Sequence, residues 1–177
     1  MSAFAIEHRA ALAGKTALIS TGLTLKALPE GHVLHLFSAS AAGDVSSTIS
    51  AVLRCDALGK RSVSPGQWFV VGDVALSPKA LADIAQKVEP HAEVVDQSHG
   101  RVRIAIAGAK AMSVLAKGTA VDLALNVFPV GHATTALIGH IAAHITRVSD
   151  DGFELMVLRG FAESLWDELV ELSAEFR

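Results

Sequence analysis

Hydrophobic and polar positions along this chain follow two periods. "RVRIAIAG" (101–108) alternates strictly, with Val102, Ile104 and Ile106 on one side and Arg101, Arg103 and Ala105 on the other. That is the period of a half-buried strand. "HVLHLF" (32–37) and "AEVVDQ" (92–97) read the same way, and "TALISTGLTLKAL" (16–28) reads as one or two short strands. "KRSVSPGQWFVVGD" (60–73) is two short runs around Ser-Pro-Gly, which predicts a hairpin.

Other segments carry the helical period. In "AAGDVSSTISAVLRC" (41–55), Val45, Ile49, Val52 and Leu53 recur at helical spacing and Asp44 can cap the first turn. "SPKALADIAQKVEP" (77–90) has Ser77 as N-cap, Pro78 at the first helical position and Pro90 as a stop. "AKAMSVLAKG" (109–118) is a short helix ended by Gly118. "FAESLWDELVELSAEF" (161–176) gathers Phe161, Leu165, Leu169 and Val170 on one side, extended by Leu172 and Phe176.

In order, residues 32–97 read β-α-β-β-α-β, the ferredoxin-like or split βαβ arrangement. From 101 the order nearly repeats. A strand and a helix lead to a long loop with apolar anchors (120–132). Two strands follow, at 133–148 and 152–159, joined by "SDDG", and a helix closes the chain. The second half lacks its last strand, which residues 16–28 can supply by crossing over. The expected fold is α+β: two intertwined ferredoxin-like halves with antiparallel sheets, residues 1–98 and 99–177.

Composition adds constraints. About half the residues are apolar (51%) and mean hydropathy is +0.42 over 177 residues. This surplus fits either a partner-covered surface or an interior rich in Ala. A net charge of −3 and a pI near 6.2 lack the basic footprint of nucleic-acid binding. The single cysteine, Cys55, lies in an apolar helical pattern and reads as a packed residue. "MSAFAIEHRAALAGK" lacks the charged start and apolar run of a secretory signal, and no stretch reaches the ~18 apolar residues of a membrane span. The expected location is the cytoplasm, without membrane contact.

Candidate chemistry is sparse. "GHATTALIGHIAAHITRV" (131–148) holds His132, His140 and His144. Four residues span about 6 Å on a helix, close enough for two imidazoles to share a metal, but about 13 Å on a strand. Thr134, Thr135, Ile138, Ile141, Ile145 and Val148 favour strand, so His140 and His144 are expected as sheet-surface residues. "AGKT" (13–16) has Arg9 where a phosphate-binding loop needs its first Gly. "IAGAK" (106–110) has one glycine of the three in a dinucleotide fingerprint. Asp96, Ser98 and His99 are too close in sequence for triad geometry. Trp68 and Trp166 sit in apolar patterns and read as packing residues.

The order of several segments resembles the gamma subunit of heterotetrameric sarcosine oxidase. "DQSHGRVRIAIAG" is similar to that family's Asp-x-Ser, strand and Gly; "VLAKGTAVDL" to its helix end and Asp-Leu. "FPVGHATTALIGHIAAHITR" resembles its Phe-Pro-x-Gly and long strand, "FELMVLRGFAESLWDELVELSAEF" its closing strand, Arg and helix, and "PGQWFVVG" its Pro-x-x-Trp-Leu segment. The resemblance covers residues 60–177. Gly160 stands where the family has Ser after the Arg.

The resemblance implies a fold related to folate-binding aminomethyltransferase domains. It implies a complex that demethylates sarcosine to glycine with hydrogen peroxide as coproduct, passing the one-carbon unit to tetrahydrofolate. FAD, FMN, NAD, zinc and tetrahydrofolate are then expected in the alpha, beta and delta partner subunits, and none in this chain. This chain is expected to be non-catalytic, with Trp68, Phe128, Arg159 and Trp166 as candidates for packing or partner contact. The alternative is a stand-alone folate-binding or one-carbon transferase protein, which needs a buried carboxylate to hold a pterin. Asp122 is the nearest candidate for that role.

Overall fold

The computed structural model describes residues 8–38, 46–53 and 59–176. Asp44 and Cys55 lie outside the described residues. Among the described residues, ten strands form two antiparallel sheets, accompanied by four α-helices. The four-stranded sheet is built from β3 (His32–Ser38), β4 (Lys60–Ser64), β5 (Gln67–Gly72) and β6 (Ala92–Asp96), in the order β4-β5-β3-β6. The helices α1 (Ser46–Leu53) and α2 (Pro78–Val88) belong to the same run of chain. This is the ferredoxin-like order. Ser77 Oγ accepts from Ala80 N at 3.2 Å, and Pro78 opens α2, so cap and proline act where the sequence placed them.

The six-stranded sheet runs β1-β2-β7-β10-β9-β8. Its members are β1 (Leu18–Ser20), β2 (Leu23–Ala27), β7 (Arg101–Ala107), β8 (Ala133–Ile138), β9 (Ile141–Ser149) and β10 (Gly152–Leu158). Here β2 pairs with β7, in the register Thr24↔Ala107 to Ala27↔Ile104, so N-terminal chain completes the C-terminal sheet. α3 (Ala111–Gly118) and α4 (Ala162–Leu172) pack on that sheet.

Two readings of the second half need correction. The expected strand 133–148 is a hairpin: β8 and β9 meet at Ile138↔Ile141, with Gly139 in the turn at φ +57°. A single strand of that length far exceeds the usual five or six residues, and the glycine is where it folds back. Phe161 is 54% exposed, in a 3₁₀ turn (Arg159–Phe161) before α4, so only Leu165 and Leu169 of the expected stripe are core.

Strand alternation sorts side chains into three layers. Val102, Ile104, Ile106, Phe153, Leu155, Val157, Leu23 and Leu25 face α3 and α4. Leu34, Leu36, Trp68 and Val70 pack with Ile49 of α1 and Val88 of α2. The opposite faces of both sheets meet each other through Val33, Phe69, Val71 and Met156.

Candidate functional site

The layer between the sheets is not purely apolar. His35, Arg61, Arg103, His144, Thr146 and Glu154 are all buried. Arg61 of β4 grips Glu154 of β10 with two bonds, Nη1 to Oε1 at 2.7 Å and Nη2 to Oε2 at 2.9 Å. Arg103 approaches Glu154 Oε2 at 3.6 Å and donates to Gly72 O at 3.0 Å and Asp73 Oδ1 at 2.5 Å. A buried charge needs such pairing because removal from water costs several kcal/mol per ion (on the order of that size).

Three buried polar atoms in the described residues have no partner: Arg61 Nε, His144 Nε2 and Thr146 Oγ1. His144 Nδ1 lies 3.0 Å from Thr135 Oγ1. Burial first, and then the charges of Arg61 and Arg101, push the His144 imidazole down from 6.5 to about 4. His35 is lowered too, mainly by burial and further by Arg101, against a bond to Gln67 that favours the charged form.

A second feature is the loop between α3 and β8, residues 119–132. Leu123 and Phe128 anchor it in the core, and Phe128 stacks on His132. Arg147 reaches under it and donates to the carbonyls of Phe128, Leu123 and Asp150, its guanidinium resting on Phe153 at 4.4 Å. One arginine fork on three carbonyls fixes the loop's path. The fixed loop holds Leu125, Val127 and Val130 out to solvent at 47%, 48% and 45% exposure.

The residues singled out in the sequence fall in different places. Trp68, Phe128 and Trp166 are buried within the chain, with 8%, 4% and 3% exposure. Arg159 bonds Glu30 at 2.9 Å and Arg9 O at 2.6 Å. Burial raises Glu30, but bonds from Arg159 and from Ala11 N outweigh it and leave its carboxyl below the usual range. Asp122 is exposed and accepts from Ala124 N at 2.9 Å within its own loop, so it is not the buried carboxylate a pterin needs. Glu154 is buried, and its charge is already taken up by arginine.

His144 is buried between the sheets rather than on a sheet surface, and His140 sits in the β8–β9 turn. Among the described residues no group of three or more His, Cys, Asp or Glu is arranged to hold a metal. Asp96 Oδ1 accepts from Ser98 N and Oγ, and Val33 N donates to Ser98 Oγ, so this trio staples a strand end. No helix of the described residues is long and apolar enough to cross a membrane. A Cβ at Gly160 would meet nothing within 4 Å, so the family's serine would fit there.

Comparison with known proteins agrees with this architecture. The family profile named GCVT N-terminal domain matches residues 55–177, more than half of the chain. The chain belongs to the GCVT N-terminal domain family. An aminomethyltransferase of Herpetosiphon aurantiacus is 33% identical over 117 residues, which are 63% of this chain and 32% of that protein. The chain therefore spans about a third of the curated relative it matches.

Two solved structures share the fold of this GCVT-family chain. One is the heterotetrameric sarcosine oxidase of Corynebacterium sp. U-96, with TM-score 0.80 and 18% identity over 96% of both chains. The other is the glycine cleavage system aminomethyltransferase T of Bartonella henselae, with TM-score 0.60 and 15% identity over 85% of this chain and 46% of that one. The aminomethyltransferase-like fold expected from the sequence is the one observed.

Proposed function

We propose that this GCVT-family chain is a gamma-type subunit of a sarcosine-oxidase-type complex and acts in its assembly. The observation that carries the reading is the end-to-end match to a chain of heterotetrameric sarcosine oxidase, 96% of each. The sequence resemblance over residues 60–177 points the same way. The site geometry supports an assembly role. The buried charges of Arg61, Arg103 and Glu154 are paired, and Asp122 is engaged in its own loop. Three of the exposed apolar residues, Leu125, Val127 and Val130, share the Arg147-anchored loop. An apolar segment anchored in this way suits a subunit contact because less ordering is left to be done on binding. Alpha, beta and delta subunits are the proposed partners, and FAD, FMN, NAD, zinc and tetrahydrofolate would be bound by them.

The test is co-expression with candidate alpha, beta and delta subunits, followed by size-exclusion chromatography and an amine-oxidation assay. One flavin-coloured, active peak containing this chain is expected. A separate colourless peak, with full activity elsewhere, would overturn the proposal. Tetrahydrofolate titration of the isolated chain covers the stand-alone reading; heat of binding or a thermal shift there would favour a folate-binding protein instead.

A further inference from the structure

The arginines of the described residues that are at least partly buried have their charge answered, with one exception. Arg61 and Arg103 meet Glu154 and Asp73; Arg147 meets three carbonyls; Arg159 meets Glu30. Arg101 has no carboxylate within salt-bridge distance among the described residues. Its Nε donates to Gln97 Oε1 at 2.6 Å, and its guanidinium lies 4.6 Å from the centre of the Phe69 ring. Those two contacts fix the plane of the fork. Its two terminal nitrogens have no protein partner among the described residues and are not among the sealed, unbonded atoms of the layer. They therefore retain access from outside.

The surroundings are short of negative charge. His35 stacks on the same Phe69 ring at 4.5 Å and on Phe37 at 4.1 Å, and His144 meets Phe69 edge-on at 5.4 Å. Arg61 and Arg103 face the same layer, and its buried carboxylate, Glu154, is shared between them. Among the described residues Arg101 has no compensating carboxylate and is oriented by an aromatic ring and an amide. Partial burial without a counter-charge costs stability that an anion would return. A planar fork with both terminal nitrogens free matches the geometry of a carboxylate or a phosphate.

We propose that Arg101, seated on Phe69 beside His35, anchors a binding site for a small-molecule oxyanion at the rim of the inter-sheet layer. The imidazoles of His35 and His144 feel the Arg101 charge, so a bound anion relieves that repulsion and makes both easier to protonate. Binding and histidine titration are thus linked at a site that owes nothing to the proposed subunit role.

The test is titration of the full chain with inorganic phosphate and, separately, with acetate, at fixed ionic strength. Arginine Nε–H and histidine ring resonances are followed by NMR. Saturable shifts at Arg101, with rising titration midpoints for His35, are expected with at least one of the two anions. Saturation by phosphate alone assigns a phosphate-bearing ligand, and saturation by acetate alone a carboxylate. R101Q should weaken binding about tenfold or more, and R101K, which keeps the charge but not the fork, should weaken it less. Shifts that rise linearly without saturating, or equal binding by R101Q, would overturn the site.

Discussion

Glu154 joins the two sheets by charge. Its carboxylate sits under the Arg61 fork, with both side chains almost fully buried. Arg61→Met leaves that carboxylate buried with only the more distant Arg103, and should cost about 3–5 kcal/mol in urea unfolding. The double variant Arg61→Met, Glu154→Met should regain most of the loss, because Arg103 keeps its bonds to Gly72 and Asp73. His144 adds a pH dependence. Its folded value of about 4 is below the ordinary 6.5, so the unfolded chain binds the extra proton. Stability from the neutral ring is complete above pH 6.5 and is lost as pH falls towards 4. Glu30 and Asp96 are also lowered in the fold, and so lose their contribution in the same direction at more acid pH. Unfolding midpoints at pH 7 and pH 4.5 should therefore differ less in His144→Gln than in the native chain. None of this layer was legible in the sequence. The alternation in "RVRIAIAG" told which side Arg103 faces but not that a second sheet covers it. Arg61 and Glu154 are 93 residues apart.

At the scale of elements, local chemistry explains most boundaries. Ser77, Pro78 and Pro90 framed α2, and Ser-Pro-Gly framed the β4–β5 hairpin, because these residues act through their own backbone. The β8–β9 turn was hidden in a run of β-branched residues whose one signal, Gly139, also fits a strand interior. Gly108 joins β7 to α3 at φ +109°, and a Cβ there would lie 2.4 Å from Gly22 O. Gly108→Ala should cost about 2 kcal/mol or more, since both the backbone angle and the close approach forbid it. Gly131→Ala has an unfavourable φ of +86° but open space, and should cost less in the same urea series. The loop at 119–132 depends on Arg147. Arg147→Lys keeps a charge but not the three-carbonyl fork, and should speed amide hydrogen exchange across Leu123–Val130.

The whole molecule has a ferredoxin-like four-stranded sheet and a six-stranded sheet facing each other, with helices on their outer faces. Counting elements gave the order of the first half directly. The pairing of β2 with β7 emerged only as a vacancy in the second half's pattern, since no local signal marks a long-range partner. The candidate contact residues were harder to read. Apolar aromatics stand out in a sequence, yet Trp68, Phe128 and Trp166 are buried, whereas the exposed apolar positions include three plain aliphatics on one anchored loop, Leu125, Val127 and Val130. The claim that this loop docks a partner subunit is tested most directly by size-exclusion chromatography of co-expressed subunits, comparing the native chain with a variant carrying Leu125→Asp, Val127→Asp and Val130→Asp. The native chain should elute with its partners, and the variant, folded to the same circular dichroism, should elute alone. A native chain that elutes alone, or a variant that remains in the complex, would contradict the account.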